Sequence, residues 1–206
     1  MKILNLYSGI GGNRKFWTPN DNNHDITAIE NNEAIAKIYQ DFFPKDKVIV
    51  ADAHQYLLEH YKEFDFIWSS PPCQTHSKLR YCQKQKVFPD MKIYQEITFL
   101  STWFKGNWAV ENVVPYYTPL IPQKIILGRH MIWSNYNIQD KEFSFIDLSR
   151  KNKEEVAADL QMEIPKCKNS RQLIRNCVDP LIGLHILNCS QITGKKTQTK
   201  LGGNLT

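Results

Sequence analysis

No apolar run in the 206-residue chain approaches the roughly 20 residues that a membrane-spanning helix needs. The amino terminus, Met1-Lys2-Ile3-Leu4-Asn5-Leu6, reaches Asn5 and Gly9 too early for the apolar core of a signal peptide. Cysteine is sparse. Cys73, Cys82, Cys167, Cys177 and Cys189 make an odd count of five, and no two of them form a Cys-x-x-Cys pair. Together these absences predict a reduced, cytoplasmic protein with no membrane association and no metal site, its cysteines core thiols of which at most one does chemistry. No internal repeat is present. The Gly-x-Gly-x-x-Gly fingerprint of nicotinamide and flavin enzymes is also missing, since the glycine cluster here reads Gly9-Ile10-Gly11-Gly12.

What the chain does hold is an ordinary globular composition, 42% hydrophobic and 12% aromatic, with a formal net charge of +5. Its length fits one domain and a sizeable core. The modest basicity permits a polyanionic partner without requiring one.

The first half alternates short apolar runs with helical periodicity. Lys2 to Tyr7, Ile26 to Glu30, Val48 to Ala51, Phe64 to Trp68 and Trp108 to Glu111 read as strands. Asn32 to Phe43 (ending at Pro44), His54 to Tyr61 and Met91 to Phe104 read as helices. Strands alternating with helices predict an α/β fold, a doubly wound and mostly parallel sheet with helices on both faces. Ligands of such sheets bind beyond the carboxyl ends of the strands. In the second half, His130 to Ile138 and Glu142 to Ile146 read as an antiparallel hairpin, and Asn152 to Met162 as an exposed helix. Ser170 to Leu187 reads as a longer helix that Pro180 should kink or split. The expected layout is a catalytic core over residues 1–138, a short variable segment over 139–169, a helix completing the core over 170–190, and a fraying tail over 191–206.

The strand ends carry the chemistry. After the first strand, Tyr7-Ser8-Gly9-Ile10-Gly11-Gly12 can bring backbone N–H groups close to a ligand, or can be simply a turn. Glu30, about 20 residues beyond the glycines and followed by Asn31, is placed to accept from both hydroxyls of a ribose, or to cap the next helix. Asp52-Ala53 can likewise read the amino group of an adenine or cap a helix. Together these residues describe a pocket for an adenosine-containing cofactor.

The fourth strand runs into Ser70-Pro71-Pro72-Cys73-Gln74. Two prolines stiffen the backbone there, so Cys73 is presented as a candidate nucleophile, although most cysteines are inert core residues. Glu111 closes the apolar run Trp108-Ala109-Val110. Burial should favour its protonated form, able to donate to a ring nitrogen; the alternative is a helix cap.

These segments, in this order, resemble the cytosine carbon-5 DNA methyltransferase family. Leu6-Tyr7-Ser8-Gly9-Ile10-Gly11-Gly12 is similar to its cofactor motif, Ser70-Pro71-Pro72-Cys73-Gln74 to its catalytic loop, and Val110-Glu111-Asn112-Val113 to its glutamate motif. The run from Arg171 to Pro180 looks like a degenerate copy of a C-terminal motif, with Arg175 in place of glycine. The resemblance covers residues 1 to about 138 and resumes around 171 to 188. It implies the Rossmann-like methyltransferase fold, S-adenosyl-L-methionine held by the turn residues, Glu30, Asn31, Asp52, Ala53 and Pro71, and double-stranded DNA as substrate. The implied reaction is methylation of carbon 5 of a flipped cytosine through a covalent Cys73 adduct assisted by Glu111.

Of the family's Gln-x-Arg-x-Arg motif only Arg129 survives, read as a contact to the base or backbone, or else as a surface arginine. Gln74, Ser77, Lys78, Arg80 and Lys84 in the basic loop after Cys73 are expected to hold nucleic acid, against the plainer reading of a solvated loop. The region from Gln139 to Asn169 is short for a recognition region. This economy resembles small phage-encoded members, and leaves room for a protein partner or self-association in recognition. The competing readings are a degraded homologue that binds nucleic acid without turnover and a tRNA cytosine-5 methyltransferase.

Overall fold

The computed structural model describes residues 1–17, 24–78, 87–143 and 151–198, with the side chains of 193–198 outside that description. Seven strands form one sheet: β1 (Lys2–Leu6), β2 (Asp25–Glu30), β3 (Lys47–Val50), β4 (Phe66–Ser69), β5 (Asn107–Val113), β6 (Ile125–Leu127) and β7 (His130–Ser134). Their spatial order is β3-β2-β1-β4-β5-β7-β6. The first five pair in parallel, and β7 is antiparallel to both β5 and β6. This is the doubly wound, mostly parallel α/β sheet with an antiparallel end that the alternation of elements predicts.

Parallel strands covered on both faces must be apolar on both, and β1 and β4 are buried almost throughout. Alternate residues feed two cores. Ile3, Ile26, Phe66, Trp68, Ala109 and Ile132 pack on one face with Trp17 and with α6 (Pro180–Gln198). Leu4, Leu6, Ile29, Ile67 and Val110 pack on the other with α2 (Ala53–His60) and α3 (Lys92–Trp103). Between β2 and β3, α1 (Glu33–Phe42) starts where the Asn32 side chain accepts from the Ala34 and Ile35 N–H groups.

Three expectations are corrected. The partner of β7 is Ile125–Leu127 and not Glu142 to Ile146: the chain turns at Gly128-Arg129, and Lys124 N–H donates to the Ile132 carbonyl to extend the pairing. Glu142 and Phe143 are in no strand, and 144–146 lie outside the described residues. The helix read as exposed is shorter and half-sunk. α4 (Lys153–Asp159), started by an Asn152/Glu155 capping box, turns Val156 and Ala157 inward; with Leu160 and Met162 they pack against Ile10, Ile174 and Cys177, over the outer residues Ile35, Ile38 and Phe42 of α1. Its charged residues occupy the opposite face, and they dominate the composition. The last helix passes Gly194, where fraying was expected, and reaches Gln198.

Pro180 does split the C-terminal helical run. α5 (Ser170–Asn176) ends before it, and α6 begins at Pro180 with the Asp179 carboxylate accepting from Leu181 N–H. Among the described residues no helix is long and apolar enough to cross a membrane.

The turn after β1 rests directly on α6. A Cβ on Gly183 would lie 2.2 Å from the Asn13 carbonyl oxygen. Gly183→Ala is therefore expected to destabilise the protein by about 1–3 kcal/mol, read as a lowered urea midpoint with an unchanged m-value.

Candidate functional site

Chain direction reverses across the sheet between β1 and β4: the chain leaves β1 for β2 and β3 on one side, then returns to β4 and β5 on the other. The carboxyl ends of β1 and β4 are thus neighbours with no crossover between them, and a cleft of about 330 Å³ opens there.

One wall is the turn after β1. Tyr7, Ser8, Gly9, Ile10 and Gly12 line it together with Glu30, Asn31 and Ala53. Gly9 has φ +53, and a Cβ on it would project into open space, so the glycine serves the backbone turn and leaves room in the cleft. Its N–H donates to Glu30 Oε2 at 3.1 Å, and Asn32 N–H donates to Glu30 Oε1 at 3.0 Å. The carboxylate is thereby aimed while each oxygen retains a lone pair. Ser8 Oγ is buried with no hydrogen-bond partner, which a polar ligand in the cleft would satisfy. These features fit an adenosine-containing cofactor.

Two residues expected in this wall are elsewhere. Gly11 is not among the lining residues and packs beneath Tyr39 and Phe43. Asp52 is not among the lining residues; it caps α2, its Oδ1 accepting from Gln55 N–H at 2.9 Å, and its Oδ2 lies 3.8 Å from Lys92 Nζ. Its carboxyl is held below the usual range, first by that backbone hydrogen bond.

The opposite wall collects Pro71, Cys73, Gln74, Glu111 and Arg129. Asn112 Nδ2 donates to the Pro71 carbonyl at 2.8 Å, tying the Pro-Pro turn to the end of β5. After Cys73 the chain folds into a tight turn, with His76 and Ser77 N–H groups donating to the Cys73 carbonyl at 3.0 Å. His76 meets the Tyr117 hydroxyl at 2.6 Å. Ser77 is bridged to Pro115 and Lys78 is exposed, and neither lines the cleft. Arg80 and Lys84, the other expected phosphate contacts, lie outside the described residues.

Burial governs the ionisation of this wall. Burial pushes the Glu111 carboxyl up to about 7, against a hydrogen bond from Ser70 and the charge of Arg129. The Cys73 thiol is also raised, first by burial and then by Glu111, with Arg129 opposing. His130, next to Arg129, is buried and held well below the ordinary histidine range by desolvation. Its Nδ1 has no hydrogen-bond partner and lies 3.6 Å from Glu111 Oε1. At that distance, with the imidazole neutral, the two make no ion pair.

Arg129 is neither a free surface group nor wholly available to a ligand. Its Nη2 donates to the carbonyls of Arg175 at 2.7 Å and Cys177 at 3.0 Å, clamping the end of α5 over the cleft. Leu173, Asn176 and Val178 from the same segment complete the lining. His130, Asn112 and Asn13 were not singled out from the sequence. The signal for Asn112 was its place beside Glu111; for His130 it was its place beside Arg129. Asn13 carried none.

Residues 1–94 match the family model for C-5 cytosine-specific DNA methylase. Among solved structures, the chain is similar to a triple mutant of DNMT2 from Spodoptera frugiperda, at 27% identity over 54% of this chain and 35% of that one, with a TM-score of 0.42. The match thus spans about a third of that protein's length. The chain is also similar to the Entamoeba histolytica methyltransferase EhMeth, at 17% identity over 78% of this chain and 66% of that one, with a TM-score of 0.43. A third likeness is to a SAM-dependent methyltransferase from Agrobacterium tumefaciens, at 11% identity over 57% and 40%, with a TM-score of 0.39. No curated protein matches.

A carboxyl raised by burial costs the native state as pH rises. Below the ordinary carboxylate pKa both states are protonated; above it the unfolded chain releases its proton while Glu111 keeps its own up to about 7. Glu111→Gln is therefore expected to gain stability relative to the wild type between about pH 4.5 and 7, by on the order of 3 kcal/mol across that window. Chemical denaturation of both proteins at several pH values checks this, and a pH-independent difference between them would remove the assigned cause.

Proposed function

We propose that the chain, whose residues 1–94 match the model for C-5 cytosine-specific DNA methylase, is an S-adenosylmethionine-dependent methyltransferase acting on carbon 5 of a flipped cytosine in DNA. The observation that carries this reading is the meeting, across one cleft, of the turn from Tyr7 to Gly12 with its Glu30 anchor and of Cys73 with Glu111.

Carbon 5 of cytosine is a weak nucleophile until a thiolate adds at carbon 6. When bound, S-adenosylmethionine supplies an electrophilic methyl group. Ser8, Gly9 and Glu30 would hold it. Cys73 Sγ gives up its proton to solvent and forms a bond to carbon 6; the electron pair displaced from the ring double bond makes carbon 5 nucleophilic. Glu111, neutral near pH 7, donates its proton toward ring N3, where negative charge would otherwise accumulate.

A neutral Glu111 also removes the like charge that opposes ionisation of Cys73. One proton thus serves both ends of the addition. Once carbon 5 carries the methyl group its proton passes to solvent, the freed pair re-forms the carbon 5–carbon 6 double bond, the Sγ–carbon 6 bond breaks with Cys73 departing as thiolate, and the N3 proton returns to Glu111. Since burial makes Cys73 hard to ionise, the addition depends on Arg129, whose positive charge opposes that effect on the thiol.

The test is incubation with tritiated S-adenosylmethionine and mixed-sequence DNA, followed by nucleoside analysis. Label in 5-methylcytosine is the expected result; label only in RNA would move the substrate to tRNA, and no label with cofactor bound would favour a binding protein. Cys73→Ser is expected to abolish transfer to background while cofactor binding by titration calorimetry stays within about threefold, a change under 1 kcal/mol. Trapping of DNA by a mechanism-based cytosine analogue should disappear in the same variant.

A further inference from the structure

Glu96, in the middle of α3, is a carboxylate with no solvent exposure that takes no part in the chemistry above. Three hydrogen bonds converge on it. Tyr7 Oη donates to Oε1 at 2.6 Å, His54 Nδ1 lies 3.0 Å from the same oxygen, and Ser69 Oγ donates to Oε2 at 2.5 Å. The three donors come from the end of β1, the first turn of α2 and the end of β4. Each adjoins the cleft: Tyr7 lines it, Ala53 beside His54 lines it, and Ser70-Pro71 beyond Ser69 line it. Glu96 and His54 themselves do not.

Burying a carboxylate costs several kcal/mol unless donors satisfy it, and an apolar residue of similar size would be cheaper for stability alone. Tyr7 adds a second cost. Its φ of 54° puts a bulky side chain in the left-handed region, a strained conformation for any residue with a Cβ. Strain at a cleft wall persists only where the surroundings hold it, and the bond from the Tyr7 hydroxyl to Glu96 spans from that wall to a helix on the far side.

We infer that Glu96 is a positioning residue for the cofactor. It holds the Tyr7 ring in its left-handed place as one wall of the adenosine subsite, and through Ser69 it ties that wall to the strand carrying the Pro-Pro-Cys turn. His54 completes the donor set and, with Asp52 and Lys92, is the charged surrounding of the cluster. The inference rests on the cofactor reading above and names the groups that set the affinity of that site.

The experiment measures the Kd of S-adenosylhomocysteine by titration calorimetry for the wild type, Tyr7→Phe, Glu96→Leu, Glu96→Gln and the Tyr7→Phe/Glu96→Leu double variant. Tyr7→Phe is expected to weaken binding about tenfold. Glu96→Leu should weaken it by a similar factor, and the double variant by no more than either alone, because both remove the same bond. Glu96→Gln, which retains an oxygen for Tyr7 and His54, should restore binding to within about threefold of the wild type.

Wild-type affinity in Tyr7→Phe, fully additive losses in the double variant, or failure of Glu96→Gln to restore binding each overturns the inference; the two conservative variants decide it even if Glu96→Leu does not fold. A wild type that binds no S-adenosylhomocysteine overturns the cofactor reading itself, and the inference with it, which is a different result from a wild type that binds and variants that bind equally.

Discussion

Parallel pairing of β1 with both β2 and β4 is the constraint from which the site follows. Two neighbouring strands that send their chains to opposite sides of the sheet leave a gap at their carboxyl ends, since neither connection crosses it. The backbone N–H groups of the turn after β1 and the Pro-Pro turn after β4 face each other across that gap. The apolar interiors of the two strands keep the floor rigid: Leu4, Leu6, Ile67 and Trp68 have no solvent exposure.

The second constraint is dryness. Glu111 sits inside β5, two residues before its end and among buried neighbours, so its carboxyl is largely desolvated and keeps its proton into the neutral range. The same dryness leaves His130 neutral and raises the Cys73 thiol. Three titratable groups and Arg129 therefore share one low-dielectric wall, where a single proton on Glu111 alters the ease of ionising Cys73. The wall is sealed from above by α5, which Arg129 grips through two backbone carbonyls. Arginine suits this task because its fork of donors stays charged even when partly desolvated.

Small helices enlarge the core at modest cost in chain length. α4 and α5 bury Val156, Leu160, Ile174 and Cys177 over α1, and α6 closes the opposite face against Trp17, Phe66 and Trp68. The T-shaped and tilted contacts of Trp17 with Phe66 and Trp68 form a rigid support beneath the turn that bears Ser8 and Gly9.

The periodicity of the chain by itself determined the five parallel strands and the first three helices, because strands buried on both faces and helices with one apolar stripe write their period directly into the residue order. It also determined the pieces of the site that are contiguous: the turn from Tyr7 to Gly12, the Pro-Pro-Cys turn, and Glu111 on the fifth strand, which runs two residues further than read, to Val113. Pro180 announced the break between α5 and α6, since proline cannot continue a helix it does not begin. What depends on distant partners was not legible. That Asp52 caps α2 through Gln55 N–H and lies near Lys92 was such a feature. The apolar stripe of α4 was hidden under its charges, the three residues of β6 were too short to show a period, and Arg129 found its acceptors on a helix 46 residues away. Burial decided the proton on Glu111, and convergence of three segments on Glu96 decided the setting of Tyr7. Both are properties of space between chain segments, which residue order specifies only once the sheet has brought them together.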